Sequence, residues 1–264
     1  MAQVDTLFHD NDHEVLRFAD LVVGEGVQAN QFCIRHGDRA ALIDPGGDLT
    51  YTPLTIALSR RVNLNGLDYI LASHQDPDII ASLPRWLMHT RCQVVVSRLW
   101  SRFLPHLASS YVTGKMGEQL QSRILGIGDE GRVLPFAGSE LWILPAHFLH
   151  SVGNFSFYDP VSGILFSGDV GASLGGEEGE VRNFADHLHS MVGFHRRYMA
   201  SNRACRLWVA MVRDLAPRMI VPQHGGYFVG DQVARFLNWL AALECGVDLL
   251  DSSNFRLPPR DWGM

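Results

Sequence analysis

The sequence predicts an α/β fold made of two β/α halves, and three observations carry that prediction. Short apolar runs of strand length alternate with longer helical stretches along the chain. Several of these runs end in a histidine or an aspartate, which is how side chains are aimed from the rim of a rigid sheet. No internal segment is rich enough in Gly, Pro or Ser to mark a linker, so residues 1–264 read as one domain.

In the first half, residues 30–35 and 40–44 read as hairpin strands joined by His36-Gly37-Asp38-Arg39. Pro45-Gly46-Gly47 then turns the chain toward a helix around 54–60. A strand over 67–72 is followed by a helix near 79–88, opened by Asp76-Pro77-Asp78 with Asp78 as its cap. A strand at 93–97 and a helical region over 99–125 complete this half. The second half starts with short strands around Val133 and Leu141, then a strand at 154–158, a turn at 159–163 and a strand at 164–167. Helical stretches over 185–216 and 229–244 flank a last strand at 218–223 and are expected to cover the sheet.

With 264 residues and 47% hydrophobic content, the chain is large enough to bury one sizeable core. The formal net charge of −6 gives no general drive toward nucleic acid or an anionic membrane surface. No apolar run reaches the length of a membrane span and no basic-then-apolar leader is present. The four cysteines, Cys33, Cys92, Cys205 and Cys245, lie far apart in sequence and read as reduced core thiols of a cytoplasmic protein.

The densest chemistry is Ser73-His74-Gln75-Asp76-Pro77-Asp78, an imidazole and two carboxylates directly after an apolar strand. Such groups are costly to bury unless something neutralises them, which points to a metal. Three more ligand-type residues end apolar runs in the same way: His147 after 140–146, Asp169 after 163–168, and His224 after 218–223. Other polar clusters have plainer readings. His9-Asp10-Asn11-Asp12-His13 reads as an exposed loop near the N-terminus. His187, His189 and His195 read as a solvated helix face, and the glycine-rich acidic loop 171–180 as a mobile, exposed connector.

The order His74-x-Asp76-x-Asp78, His147, Asp169 within Ser167-Gly168-Asp169, and His224 resembles the metallo-β-lactamase superfamily over nearly the whole chain. Within it, the chain is most similar to the di-iron branch, the flavodiiron proteins and the shorter oxygen-binding di-iron proteins. Asp76 stands where that branch usually has Glu, and Ile79 stands where di-zinc hydrolases carry a metal-binding His. The resemblance implies an αββα sandwich. It also implies that His74, Asp76 and His147 hold one metal, Asp78 and His224 the other, and that Asp169 bridges them. His150 is the competing ligand in His147-Phe148-Leu149-His150 and is placed in the pocket with Tyr198, while Asp44 supports the metal loop.

Carboxylate in place of imidazole favours iron, with manganese and zinc as alternatives. No flavodoxin or rubredoxin unit, and hence no flavin, is expected on this chain. The leading expectation is a non-haem di-iron protein that binds dioxygen, or another diatomic such as nitric oxide, as a sensor or carrier read by a partner. A second is an oxygen or nitric oxide reductase fed by an external redox protein. A third is a hydrolase of phosphodiesters or lactones using a metal-bound hydroxide oriented by Asp78. The apolar residues Phe236, Trp239, Leu240 and Leu243 suit either a homodimer interface or core packing.

Overall fold

The computed structural model describes residues 2–107, 114 and 119–258. Its strands form two sheets. The first contains β1 (Gln3–Asp10), β2 (His13–Ala19), β3 (Gln31–His36), β4 (Arg39–Ile43), β5 (Leu67–Leu71), β6 (Gln93–Ser97) and β7 (Ile124–Ile127), in that order. It is antiparallel from β1 to β4 and parallel from β4 to β7. The second runs from β8 (Arg132–Phe136) through β9 (Ser139–Pro145), β10 (Phe155–Asp159), β11 (Ile164–Phe166) and β12 (Met219–Val221) to β13 (Phe228–Val229). Here only β11 and β12 run parallel.

The period of two along each strand sorts its side chains into layers. Phe32 and Ile34 of β3, Ile43 of β4, Leu71 of β5 and Val95 of β6 point inward, where they meet Phe155, Phe157, Ile164, Phe166 and Val221 of the second sheet. The alternate residues Cys33, Leu42, Ile70, Val94 and Val96 face an outer layer that includes Leu54, Leu58, Trp86 and Leu87 from the helices Asp48–Leu58 and Leu83–His89. On the other side, Leu165 and Ile220 pack under the helices Asn202–Leu215 and Asp231–Ala242. Three apolar layers between four slabs make the αββα sandwich.

Several expectations are corrected. The segment 9–13 is the turn of the β1–β2 hairpin, with Asn11 at positive φ; residues 9–12 are exposed as expected, and only His13 turns inward. His13 is buried and its Nε2 lies 2.7 Å from Asp159 Oδ2 across the sandwich. Among its described residues, the region 99–125 carries short helical turns at Arg98–Ser101, Leu104–Leu107 and Gln119–Ser122, and ends in β7. Its β-branched and aliphatic residues complete the parallel edge; residues 108–113 and 115–118 lie outside those described.

The helix after His74 has Asp76 rather than Asp78 at its N-cap position, with no capping bond from the side chain and with Pro77 in its first turn, and it breaks after Ile80 before resuming at Leu83. The stretch 185–216 is also broken: Met199 turns extended, and the Ser201 hydroxyl accepts the Ala204 N–H to start a new helix. Phe236 and Leu240 are fully buried and Trp239 packs on the same cluster, so that face is core and not an interface. All four cysteines are free and buried. Among the described residues no helix is long and apolar enough to cross a membrane.

Candidate metal centre

Leu71, Phe166 and Val221 end β5, β11 and β12, and His74, Asp169 and His224 each lie three positions further on. The register of the sheets therefore aims all three at the same rim. Glycines make the turns possible. Gly168 precedes Asp169 at φ +61°, and Gly225 follows His224 at φ +76°, where a Cβ would collide with the Ser173 hydroxyl.

One carboxylate organises the site. Asp169 Oδ2 lies 3.2 Å from His150 Nε2 and 3.8 Å from His74 Nε2, while its Oδ1 lies 3.5 Å from His224 Nε2. Asp76 Oδ2 joins the first group, 3.3 Å from His150 Nε2 and 3.7 Å from His74 Nε2. Asp78 Oδ2 joins the second, 3.5 Å from His224 Nε2. The two oxygens of Asp169 thus face two separate His/Asp groups. The tightest set, His74, His150 and Asp169, has ligand atoms all within 4.8 Å of one another. Asp169, His74 and His224 are buried, whereas the Asp76 and Asp78 side chains are partly open to solvent, so the site is approached from their side.

The imidazoles are held from behind. Ser73 Oγ lies 2.9 Å from His74 Nδ1, and the Gln28 carbonyl accepts a 2.6 Å hydrogen bond from His224 Nδ1, which leaves both Nε2 atoms for the site. Asp44, at φ +51° and buried, accepts the Ser73 N–H at 2.7 Å. It holds the strand end that precedes His74. Burial raises its pKa to about 7 in spite of the Ser73 hydrogen bonds.

His147 and His150 exchange the places expected of them. His147 Nε2 lies 2.8 Å from the Asp129 carbonyl, and its ring packs on Phe155, away from the carboxylates. The chain needs a tight turn to leave β9: Leu149 N–H returns to the Ala146 carbonyl, Phe148 N–H donates to the Ser151 carbonyl, and Phe148 takes φ +67°. Leu149 fills the core and His150 is the first residue delivered to the rim. Ligand spacing does not separate the two histidines; the backbone bonds of this turn do.

The remaining histidines are also not a solvated face. His187 and His195 are buried; only His189 is exposed. His195 Nε2 accepts the Gly171 N–H at 2.9 Å, and its Nδ1 donates to the Met191 carbonyl at 2.9 Å. The start of the loop after Asp169 is therefore fastened, with Ala172 and Ser173 buried and Ser173 N–H bonded to the His224 carbonyl. Its acidic tip, 174–178, and Glu180 are exposed. Phe194 and Tyr198 stack at 4.8 Å and both meet the His150 ring edge-on, at 5.8 and 5.6 Å.

The electrostatics fit a cation. Burial alone would lower the His150 pKa, but hydrogen bonding to Asp169 and Asp76 overcomes it and raises the value from 6.5 to about 10. Burial would raise Asp169, yet the three imidazoles hold it well below the ordinary carboxylate range. His74 is lowered by burial, and Asp76 is lowered by its hydrogen bond from His150. A proton on His150 thus sits among carboxylates where a metal ion would. Asp169 Oδ1 is buried without a hydrogen-bond partner, as expected of an atom built to meet an ion. All donors are nitrogen or carboxylate oxygen, a set that suits iron or manganese and contains no thiolate.

Comparison with known proteins agrees with this geometry. The model of a family described as ODP family beta lactamase matches residues 27–225. Two solved structures share 38% identity and a TM-score of 0.82, covering 94% of this chain: a peroxy diiron species of the chemotaxis sensor ODP, over 97% of that chain, and the apo state of the chemotaxis sensor ODP from T. denticola, over 98%. A flavo di-iron protein variant from Thermotoga maritima is 22% identical with a TM-score of 0.73, covering 92% of this chain and 61% of that one. Rubredoxin oxygen:oxidoreductase from Desulfovibrio gigas is 14% identical with a TM-score of 0.70, covering 90% and 61%. These last two share the fold. No curated protein matches the chain.

Proposed function

The chain belongs to the ODP beta-lactamase family and has the metallo-β-lactamase fold, and on that premise we propose that it senses dioxygen at a pair of iron ions. The observation that carries this reading is Asp169, whose two carboxylate oxygens face two separate groups of ligand atoms. His74, Asp76 and His150 would hold one iron, and Asp78 and His224 the other, with Asp169 between them. The irons, when bound, supply electrons and open coordination positions for a diatomic ligand.

The protein's own residues set the conditions. Ser73 and the Gln28 carbonyl fix which ring nitrogen of His74 and His224 faces the site. Phe194 and Tyr198 cover the outer edge of His150 and keep water off that ligand. Asp76 and Asp78 leave the approach open on the solvent side. Because a sensor must be read, a separate signalling protein completes the function. A homodimer would use a face other than the helix Asp231–Ala242, whose apolar side is core.

The test is anaerobic loading with ferrous iron, metal analysis and titration with dioxygen followed by visible absorption. Two irons per chain and a long-lived visible band after stoichiometric oxygen are expected. Continuous oxygen consumption with a supplied reductant would make the protein a reductase. Iron that gives no oxygen response would leave a metal-dependent hydrolase.

A further inference from the structure

The helix Val192–Tyr198 lies between the metal centre and a surface cleft. On one side, Phe194 and Tyr198 pack against the His150 ring. On the other, Arg196, Arg197 and Tyr198 line a cleft of about 540 Å³ whose opposite wall is Val247, Leu249 and Leu250 of the C-terminal segment. The turn that carries His150 is joined to that wall by backbone hydrogen bonds. Ala200 N–H donates to the Phe148 carbonyl at 3.0 Å, and Val247 N–H donates to the Ala200 carbonyl at 2.9 Å. A displacement of His150 therefore has two routes to the cleft, through the Tyr198 ring and through this chain of peptide groups.

The cleft also has a chemical preference. Arg196 and Arg197 are exposed, and neither has an ion pair, hydrogen bond or ring contact among the described residues, on a chain whose net charge is −6. The acidic residues of the opposite segment are engaged elsewhere. Asp248 accepts the N–H groups of Asn202 and Cys245, and Asp251 accepts that of Ser253. Beside the arginines Tyr198, at 53%, and across from them Val247 at 62% and Leu250 at 43%, expose apolar surface. Two free guanidinium groups beside a row of apolar side chains match a carboxylate next to an aliphatic or aromatic anchor.

We infer that this cleft is the output surface of the molecule, a docking site for an acidic, apolar-anchored segment of a partner protein whose affinity follows the ligand state of the metal centre. The inference rests on the sensor reading for its regulation, but the surface itself does not. The single cleft serves both terms: charge draws the segment in, and Tyr198, shared with His150, makes the fit depend on the centre.

The probe is a set of short fluorescein-labelled peptides carrying Leu and Phe among several Glu residues, with matched peptides in which Lys replaces Glu. Anisotropy is measured with the full chain, metal-free, ferrous under nitrogen, and after oxygen. The Glu peptides are expected to bind about tenfold or more tighter than the Lys peptides, the effect of one well-formed charge pair. The double variant Arg196→Glu/Arg197→Glu should reverse that preference, which a merely misfolded protein would not do. Oxygen should change the affinity of the Glu peptides for the wild type. Equal binding of both sets, binding of neither, or an unchanged preference in the double variant overturns the docking site. So does a wild-type dimer that the double variant converts to monomer, which would assign the face to a second copy. Equal affinity before and after oxygen overturns the regulation. Absorption is read on the same samples: a missing oxygen band with the peptide preference intact defeats the sensor reading and leaves the docking surface standing.

Discussion

His150 lies between Asp76 and Asp169 and has the pKa that such a place gives. His150→Ala should retain only one of the two irons, whereas His147→Ala should retain both; metal analysis of the purified variants checks this directly. The raised pKa also sets the pH dependence of the metal-free protein. Because the folded-state value of about 10 exceeds the ordinary 6.5, the stabilisation is fully present below pH 6.5 and is lost as pH rises toward 10. Stability in chelator should fall across that window by roughly 2–4 kcal/mol after discounting for solvent screening, read as a lower thermal midpoint, and His150→Ala should flatten the fall. Iron takes the place of the proton, so the loaded protein should not show it. Five of the six expected ligand positions converge on the site, because each stands where an apolar run meets a polar residue. The sixth shifted by three residues because the turn at 146–151 is decided by backbone bonds and by Leu149, neither of which follows from ligand spacing.

Among the elements, β3, β4, β5 and β6 were legible as short, almost continuously buried apolar runs bounded by turns, and the helix Asn202–Leu215 by its buried Cys205, Trp208, Val209 and Val212 at helical spacing. The β1–β2 hairpin was not, because β1 is an edge strand with mixed exposure and Arg17 and Glu14 interrupt the apolar pattern of β2. Arg17 is buried all the same, paired with Asp5 at 2.7 Å. The loop after Asp169 shows how an element can hide a support. His195→Ala should cost about 2–3 kcal/mol by leaving the buried Gly171 N–H without a partner and the Met191 carbonyl with only its backbone bond from residue 195, read by denaturant unfolding. Burial lowers the His195 pKa from 6.5 to about 4. Neutral His195 therefore favours the folded state above pH 6.5, and this advantage is lost as pH falls toward 4; the variant should show a weaker loss of stability over that acid limb.

For the molecule as a whole, the two β/α halves were legible from the alternation of runs, and the layering followed from the resemblance. The sequence could not place the helix Val192–Tyr198 against His150, since that contact depends on the break at Met199 and on packing between distant segments. Chelation should lower the thermal midpoint of the loaded protein, because ions that bind only the folded chain stabilise it by mass action. Where that loss is felt follows from the placing of the ligands. His74, Asp76 and Asp78 come from the first sheet, His150, Asp169 and His224 from the second, and each metal position draws on both. At the far end of β10 the sheets are joined differently, by His13 and Asp159. The rim is also pinned without metal, by Asn30 N–H to the Gln223 carbonyl and Phe155 N–H to the Ser73 carbonyl, so the ions would reinforce a seam that is already stitched. Without iron, amide exchange should quicken modestly at 71–73 and 166–168 and stay slow around His13 and Asp159, so that occupancy of the centre tunes how tightly that seam is drawn.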